Sequence, residues 1–206
     1  MDFGSTIRLE EPKDYAAAEA LTREAFWNVY QPGCDEHFIL HSLRGSAAVL
    51  EALNYVCEDA SGLLCGHIFY TRTRVLADDG TAYPVLSFGP ISVRPDCQRR
   101  GVGSTLIRVT LDKAAKMGFS GVLITGDPNY YRRFGFREAS AFGIVAEDGS
   151  SFPALMALEL GAHRLDPVRG RVCFRPEFAD IDPEALRRFD AQFPPKERLR
   201  LPGQLR

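Results

Sequence analysis

The sequence predicts a mixed α/β fold organised on one central sheet, and three observations carry that expectation. Strand-like and helix-like patterns alternate early in the chain, and strand-like runs dominate later. The apolar run Val85 to Val93 passes through a short polar loop with two glycines straight into a helical pattern. A second short run, Val122 to Thr125, is followed at once by Asp127-Pro128, an N-cap acceptor and a residue suited to the first helical position.

In chain order, Thr6 to Leu9 reads as a strand, and Pro12-Lys13-Asp14 starts a helix. Ala18, Leu21, Ala25 and Val29 share one face of that helix, and Gln31-Pro32-Gly33 ends it. Asp35 to Leu43 is a second helical pattern, ending near Gly45. Asn54 to Glu58 and Leu63 to Val75 read as strands joined across Asp59 to Gly62, and Asp78-Asp79-Gly80 as a turn. Gly89-Pro90 interrupts the run to Val93, so a bulge or splay is expected there.

The main helix is expected from about Gly101 to Met117. Gly103, Leu106, Ile107, Thr110, Leu111, Ala114 and Met117 recur at steps of three and four, and Gly118 closes it. Gly135 suits the end of a short helix after Asp127-Pro128, and Phe136 opens the next strand. Later strands are expected at Phe142 to Val145, Ala154 to Leu160 and Val172 to Phe174. Glu147-Asp148-Gly149-Ser150 reads as a hairpin turn between the first two. Asp182-Pro183 starts a final helix burying Leu186, Phe189 and Phe193, and Pro194-Pro195 stops it.

The bulk properties narrow the function classes. The 206 residues are 45% hydrophobic and 25% charged, an ordinary globular composition for one decorated domain. No apolar stretch reaches the roughly 20 residues of a membrane span. The start, Met1 to Thr6, lacks the basic and apolar regions of a signal peptide. The five cysteines are scattered, with no C-x-x-C pair, so neither a zinc site nor a disulfide framework is expected, and a reducing cytosol fits. Residues 1–161 carry 15 basic and 20 acidic side chains, and residues 162–206 carry 10 and 7. With no dense basic stripe, neither nucleic acid nor a membrane is expected as a partner.

The loop Val93 to Ser104 is the most informative segment. A strand, a glycine-bearing turn and a helix N-terminus in series aim backbone N–H groups at one place, and the helix dipole adds positive potential. A phosphate or pyrophosphate is the expected guest. A dinucleotide fingerprint would need a third glycine where Leu106 stands, and a Walker loop would need a lysine before Ser104. A plain strand-to-helix turn is the remaining alternative.

The string Gln98-Arg99-Arg100-Gly101-Val102-Gly103 resembles the pyrophosphate-binding signature of the GNAT acetyltransferase superfamily, Gln/Arg-x-x-Gly-x-Gly/Ala. Tyr131-Arg132-Arg133-Phe134-Gly135-Phe136 resembles the superfamily's Tyr-x-x-x-Gly-Phe motif, one helix and one strand further on, in the superfamily's order. The resemblance covers about residues 5–160 and is sharp over 85–136. It implies a small bacterial stand-alone acetyltransferase of GNAT type. The implied fold is a mixed, mostly antiparallel central sheet with helices on both faces and a splayed strand pair. The pantetheine arm of coenzyme A would lie in the splay and bond the backbone of Ile91, Ser92 and Val93.

The resemblance assigns the pyrophosphate to Gln98, Arg99, Arg100, Gly101, Val102, Gly103 and Ser104, mainly through their backbone amides. The oxyanion donor would be a backbone N–H near Ile91. Tyr131 matches the tyrosine that protonates the departing thiolate, for which a phenol with a pKa near ~10 is suited. Tyr130 is its neighbour, and about 100° of helix rotation lets only one face the sulfur. Asp127 reads as an N-cap. Thr125 stands where many relatives have asparagine, six residues before the tyrosine. Many relatives also carry a Glu or Asp base on the strand before the loop, but Tyr83 to Val93 contains none. Ser87 and Ser92 could order a water there. Glu36, His37, His41 and His67 are the remaining titratable candidates, each read first as a solvated or hydrogen-bonded residue. Cys97 is expected to pack rather than react.

The expectation is therefore an acyl-CoA-dependent N-acetyltransferase. It would use acetyl-CoA as co-substrate and pass the acetyl group to an unidentified amine by direct attack in a ternary complex, with no metal. The alternatives are a sensor that binds acyl-CoA without turnover and an interaction domain independent of coenzyme A. Residues 1–161 are assigned to the catalytic domain and residues 162–206 to an extension of one strand and one helix. That extension would complete a sheet edge or a homodimer contact.

Overall fold

In the computed structural model of the protein, residues 5–162 and 164–204 are described. Residues 1–4, on which part of the no-leader expectation falls, lie outside them. The chain forms two compact units. The first holds residues 1–69, 90–107 and 176–206, and the second holds 70–89 and 108–175.

In the first unit, β1 (Thr6–Leu9) pairs antiparallel with β2 (Tyr55–Glu58), which pairs antiparallel with the start of β3 (Leu64–Leu76). The ladder slips at Cys57/Glu58, leaving one extra residue on β3. Helices α1 (Tyr15–Phe26) and α2 (Glu36–Arg44) enclose a core of Ala18, Ile39, Leu40, Leu43 and Phe69. Pro12–Asp14 form a 3₁₀ turn leading into α1, as the Pro12-Lys13-Asp14 signal requires. Val29 departs from expectation. The helix ends at Phe26, and Val29 is 47% exposed, because Asn28 takes a left-handed φ of 60° and turns the chain away.

This unit also holds a buried ionic network. Arg44 pairs with Glu10, and with Glu19 at 2.7 Å, while its guanidinium lies 4.0 Å from the Tyr15 ring centroid. The final helix, α5 (Pro183–Asp190), is capped by the Asp182 carboxylate, which accepts from the Glu184 N–H at 2.9 Å. Of the three residues expected in its core face only Phe189 is buried. Leu186 is half-buried, and Phe193 lies past the helix end, half-buried beside the His37 ring. Asp190, the last residue of the helix, accepts from Arg23 Nε at 2.7 Å and pairs with His37 Nε2 at 3.1 Å.

In the second unit, the end of β3 lies beside the start of β4 (Ala82–Val93), and the strand order continues β4-β5-β8-β6. β5 (Gly121–Thr125) and β8 (Leu155–Glu159) pair antiparallel over all five residues, and β6 (Arg137–Glu138) joins the far side of β8. β4 and β5 run parallel, and their ladder contains one residue pair, Leu86↔Val122. β9 (Gly170–Cys173) pairs antiparallel with β3 and parallel with β7 (Ile144–Val145). The sheet is thus mixed and mostly antiparallel, as expected. Its core includes Val75, Val85, Leu123, Leu155, Leu165 and Val172.

Three expectations here are corrected. The Glu147–Ser150 turn forms, with Ala146 N–H donating to Ser150 O at 2.9 Å and Gly149 at φ 84°. Yet the strands around it do not pair with each other, because β7 finds β9 and β8 finds β5 and β6. Phe142 belongs to a 3₁₀ turn, Ala139–Phe142, which Gly143 closes at φ 72°. Gly89-Pro90 does not interrupt β4, since an extended chain accommodates the proline φ. The long helix α3 (Val102–Lys116) matches its pattern except at Met117, which falls beyond its end and is 42% exposed.

Candidate active site

The loop between β4 and α3 is built on a strained backbone. Arg99 takes φ 60° and Gly101 φ 90°, both left-handed. A non-glycine residue pays about 1–2 kcal/mol for this conformation. The Gly101 carbonyl accepts from Thr105 N–H at 2.9 Å and Thr105 Oγ1 at 3.1 Å, which seats the first turn of α3. The N–H groups of Val102, Gly103 and Ser104 then belong to that first turn, where helix geometry supplies no backbone acceptor. Gln98 Nε2 donates to Val93 O at 3.1 Å and ties the strand end to the loop.

Along the end of β4, Ile91 and Val93 are half-buried, whereas Ser92 between them is buried. The Ser92 hydroxyl shares a 2.8 Å hydrogen bond with Thr22 of α1. It therefore serves as a strut to α1. Ser87 is buried, at 3% exposure.

Arg94, which sequence reasoning passed over, is the hub behind the loop. It donates to Asp59 at 2.8 Å, Asp96 at 2.7 Å, Leu64 O at 3.2 Å and Cys97 Sγ at 3.2 Å, and its own N–H donates to Cys65 O at 3.0 Å. Hydrogen bonds from Ser61 and then from Arg94 hold the Asp59 carboxyl well below the usual carboxylate range. Burial pushes the Cys97 thiol up, in keeping with packing. A cavity of about 300 Å³ opens beside these residues, lined by Cys57, Cys65, Arg94, Arg100, Val102 and Thr105 among others. Among the described residues no cluster of three or more His, Cys, Asp or Glu could hold a metal ion.

In the second unit, α4 (Pro128–Tyr131) begins where expected. The Asp127 carboxylate accepts from Asn129 N–H at 2.9 Å, so Asp127 is an N-cap. Gly135 ends the following 3₁₀ turn at φ 93°. The two tyrosines differ. The Tyr130 ring faces the Arg133 guanidinium at 4.8 Å. The Tyr131 ring lies against Phe88 at 5.9 Å and Phe136 at 5.7 Å, both buried. Thr125 is exposed at the end of β5.

The other titratable candidates are engaged. His37 is fully buried, with Nε2 on Asp190 and Nδ1 3.5 Å from Cys34 Sγ; burial drives its pKa down to about 4. His41 pairs with Glu19 at 3.1 Å, and buried His67 pairs with Glu10 at 3.1 Å. Burial pushes the Glu36 carboxyl up to about 7, with the Asp35 charge adding to the shift. No carboxylate occurs anywhere in β4, from Ala82 to Val93.

The class these features define is a mixed-sheet α/β protein whose longest helix opens on a left-handed, glycine-bearing loop. The acetyltransferase (GNAT) domain family matches residues 6–139, and the chain belongs to that family of N-acetyltransferases. It is 26% identical over 172 residues to the uncharacterized N-acetyltransferase YhbS of Escherichia coli, covering 84% of this chain and 97% of that protein. The crystal structure of E. coli YhbS in complex with CoA superposes with a TM-score of 0.76 at 25% identity, covering 86% of this chain and 93% of that one. A GNAT family acetyltransferase from Brucella melitensis, solved in complex with acetyl-CoA, gives 0.67 at 30% identity, covering 84% and 97%.

Proposed function

We propose that the protein transfers an acetyl group from acetyl-CoA to an amine by direct attack in a ternary complex. The observation that carries this reading is the left-handed pair Arg99 and Gly101 at the head of α3. Two solved relatives of similar fold, crystallised in complex with CoA and with acetyl-CoA, support it.

In this reading the pyrophosphate sits on the amides of Gln98 to Ser104, with Arg99 and Arg100 adding charge. The pantetheine runs along the backbone of Ile91, Ser92 and Val93, at the end of β4. The amine lone pair forms the new C–N bond while the carbonyl oxygen gathers charge, which a backbone N–H near Ile91 stabilises. The C–S bond then breaks, the thiolate takes the Tyr131 phenol proton, and the phenolate regains a proton released from the product nitrogen. With no acid on β4, the amine enters as its free base, so the rate should rise with pH up to the amine's own pKa.

Thiol release from acetyl-CoA across a panel of small amines, amino acids and protein amines tests the reading. The lack of a carboxylate on β4 favours one rival, a sensor that binds acetyl-CoA without turnover. Binding by calorimetry with no thiol release for any amine would establish that rival. The reading also keeps residues 1–161 as the transferase proper in the cytosol and 162–206 as its extension, in which β9 joins β3 and Phe189 of α5 meets His37 and His41. Truncation at residue 161, followed by melting and sedimentation, tests it. A soluble monomer of unchanged stability removes any sheet-edge or dimer role for the extension.

A further inference from the structure

Four aromatic rings surround Tyr131: Tyr130 at 5.1 Å, Phe136 at 5.7 Å, Phe88 at 5.9 Å and Phe134 at 6.5 Å between centroids. Phe88 and Phe136 are 5% and 1% exposed, so they form fixed walls. The remaining wall is Gly126. A Cβ added there would come within 2.8 Å of Tyr131 Cδ2, within 3.3 Å of Cζ, and closer still to Cε2.

Gly126 is not among the residues with left-handed φ, so its backbone accepts an alanine without conformational strain. Its N–H donates to Ala154 O at 2.9 Å, which pins it at the end of β5. What excludes a side chain at residue 126 is thus the tyrosine ring itself. We infer that Gly126 is a positioning residue for Tyr131: its bare Cα is the slot in which the phenol ring seats, and that slot sets the direction of the hydroxyl. This rests on the reading of Tyr131 as the acid. It also separates the two tyrosines, because the Tyr130 ring is occupied by Arg133 instead.

A methyl group at residue 126 forces the ring to retreat by about 1 Å to reach ordinary contact distance. Phe88 and Phe136 block two of the directions in which the ring could retreat. A misplacement of about 1 Å at a catalytic group costs up to roughly 100-fold in rate.

The test is a double-mutant cycle of Gly126→Ala and Tyr131→Phe, read by thiol release from acetyl-CoA with the amine that reacts fastest in the panel. Tyr131→Phe is expected to lower kcat about 100-fold. Gly126→Ala is expected to lower kcat between about 10- and 100-fold, with KM for acetyl-CoA within about twofold of wild type. The double variant should match Tyr131→Phe alone. Wild-type kcat in Gly126→Ala, or the same further loss on top of Tyr131→Phe, overturns the inference. Wild-type kcat in Tyr131→Phe instead overturns the reading of Tyr131 as the acid. Should Gly126→Ala fail to fold, Phe88→Leu loosens another wall. A fall in kcat that vanishes in the Tyr131→Phe background supports the inference, and unchanged kcat overturns it.

Discussion

Replacing Gly101 by alanine isolates the backbone's part in the loop. Gly101 sits at φ 90°, and a Cβ built there meets no atom within 4 Å, so the substitution adds strain without a clash. An L-residue in the left-handed region costs about 1–2 kcal/mol. If the loop keeps its shape, that strain appears as lost stability, a fall in Tm of about 2–8 °C for a chain of this size. If the loop relaxes, acetyl-CoA must restore the shape on binding, and Kd weakens about 5- to 30-fold, since every ~1.4 kcal/mol is tenfold. Gly80 provides the control, with φ 86° and open space around its Cβ, in the turn before β4. Calorimetry with acetyl-CoA and thermal melts on both variants separate the outcomes. Gly80→Ala should lower Tm alone, and Gly101→Ala should weaken binding. Wild-type affinity in Gly101→Ala, or equal weakening in both, would refute the anion-cradle argument.

Three further outcomes are expected. Asp190→Asn leaves the buried Arg23 guanidinium without its carboxylate and should cost about 3 kcal/mol, measured by denaturant unfolding. Asp190 is pushed up by burial but held below its usual value overall by Arg23, so its contribution is present above pH ~4 and fades in stronger acid; wild type and variant should converge there. Buried neutral His37, with its pKa near 4, supplies stability present above the unfolded value of ~6.5 and lost as pH falls toward 4. The loss of Tm between pH 7 and 5 should therefore shrink in His37→Gln, and an unchanged loss would remove His37 as its source. Gly66→Ala drives a Cβ to 2.6 Å from Val102 Cγ1 and 2.9 Å from Leu106 Cδ1, costing about 1–3 kcal/mol. Adding Val102→Ala should recover part of that in the melting temperature.

The helix starts were legible because they are local. Asp127-Pro128 and Asp182-Pro183 each place a carboxylate two residues before the amide it caps, and both caps form. The two glycines of the loop were legible for the same reason, since the conformation at Gly101 is a demand on one residue. Two failures of apolar periodicity lie at helix ends. Val29 and Met117 continue their helical stripes in sequence, but the chain has already turned, through Asn28 in one case and at the end of α3 in the other. The Glu147–Ser150 turn shows the limit. Four residues specify the turn itself, and nothing in them specifies which strands its arms will join.

What the sequence determined by itself was the set of elements, their order, and the strand–loop–helix and Tyr-x-x-x-Gly-Phe segments by which the family is recognised, because each depends on residues within a few positions of one another. The tertiary structure decided which side chains remain available for chemistry. It joined Ser92 to Thr22 seventy positions away, His37 to Asp190 across 153, and gave Arg94 to the turn at Asp59. It also set the Tyr131 ring against a glycine whose only signal in the sequence is a missing side chain. Hydrogen-bond partners and van der Waals neighbours depend on distance in space, and a linear pattern records only distance along the chain.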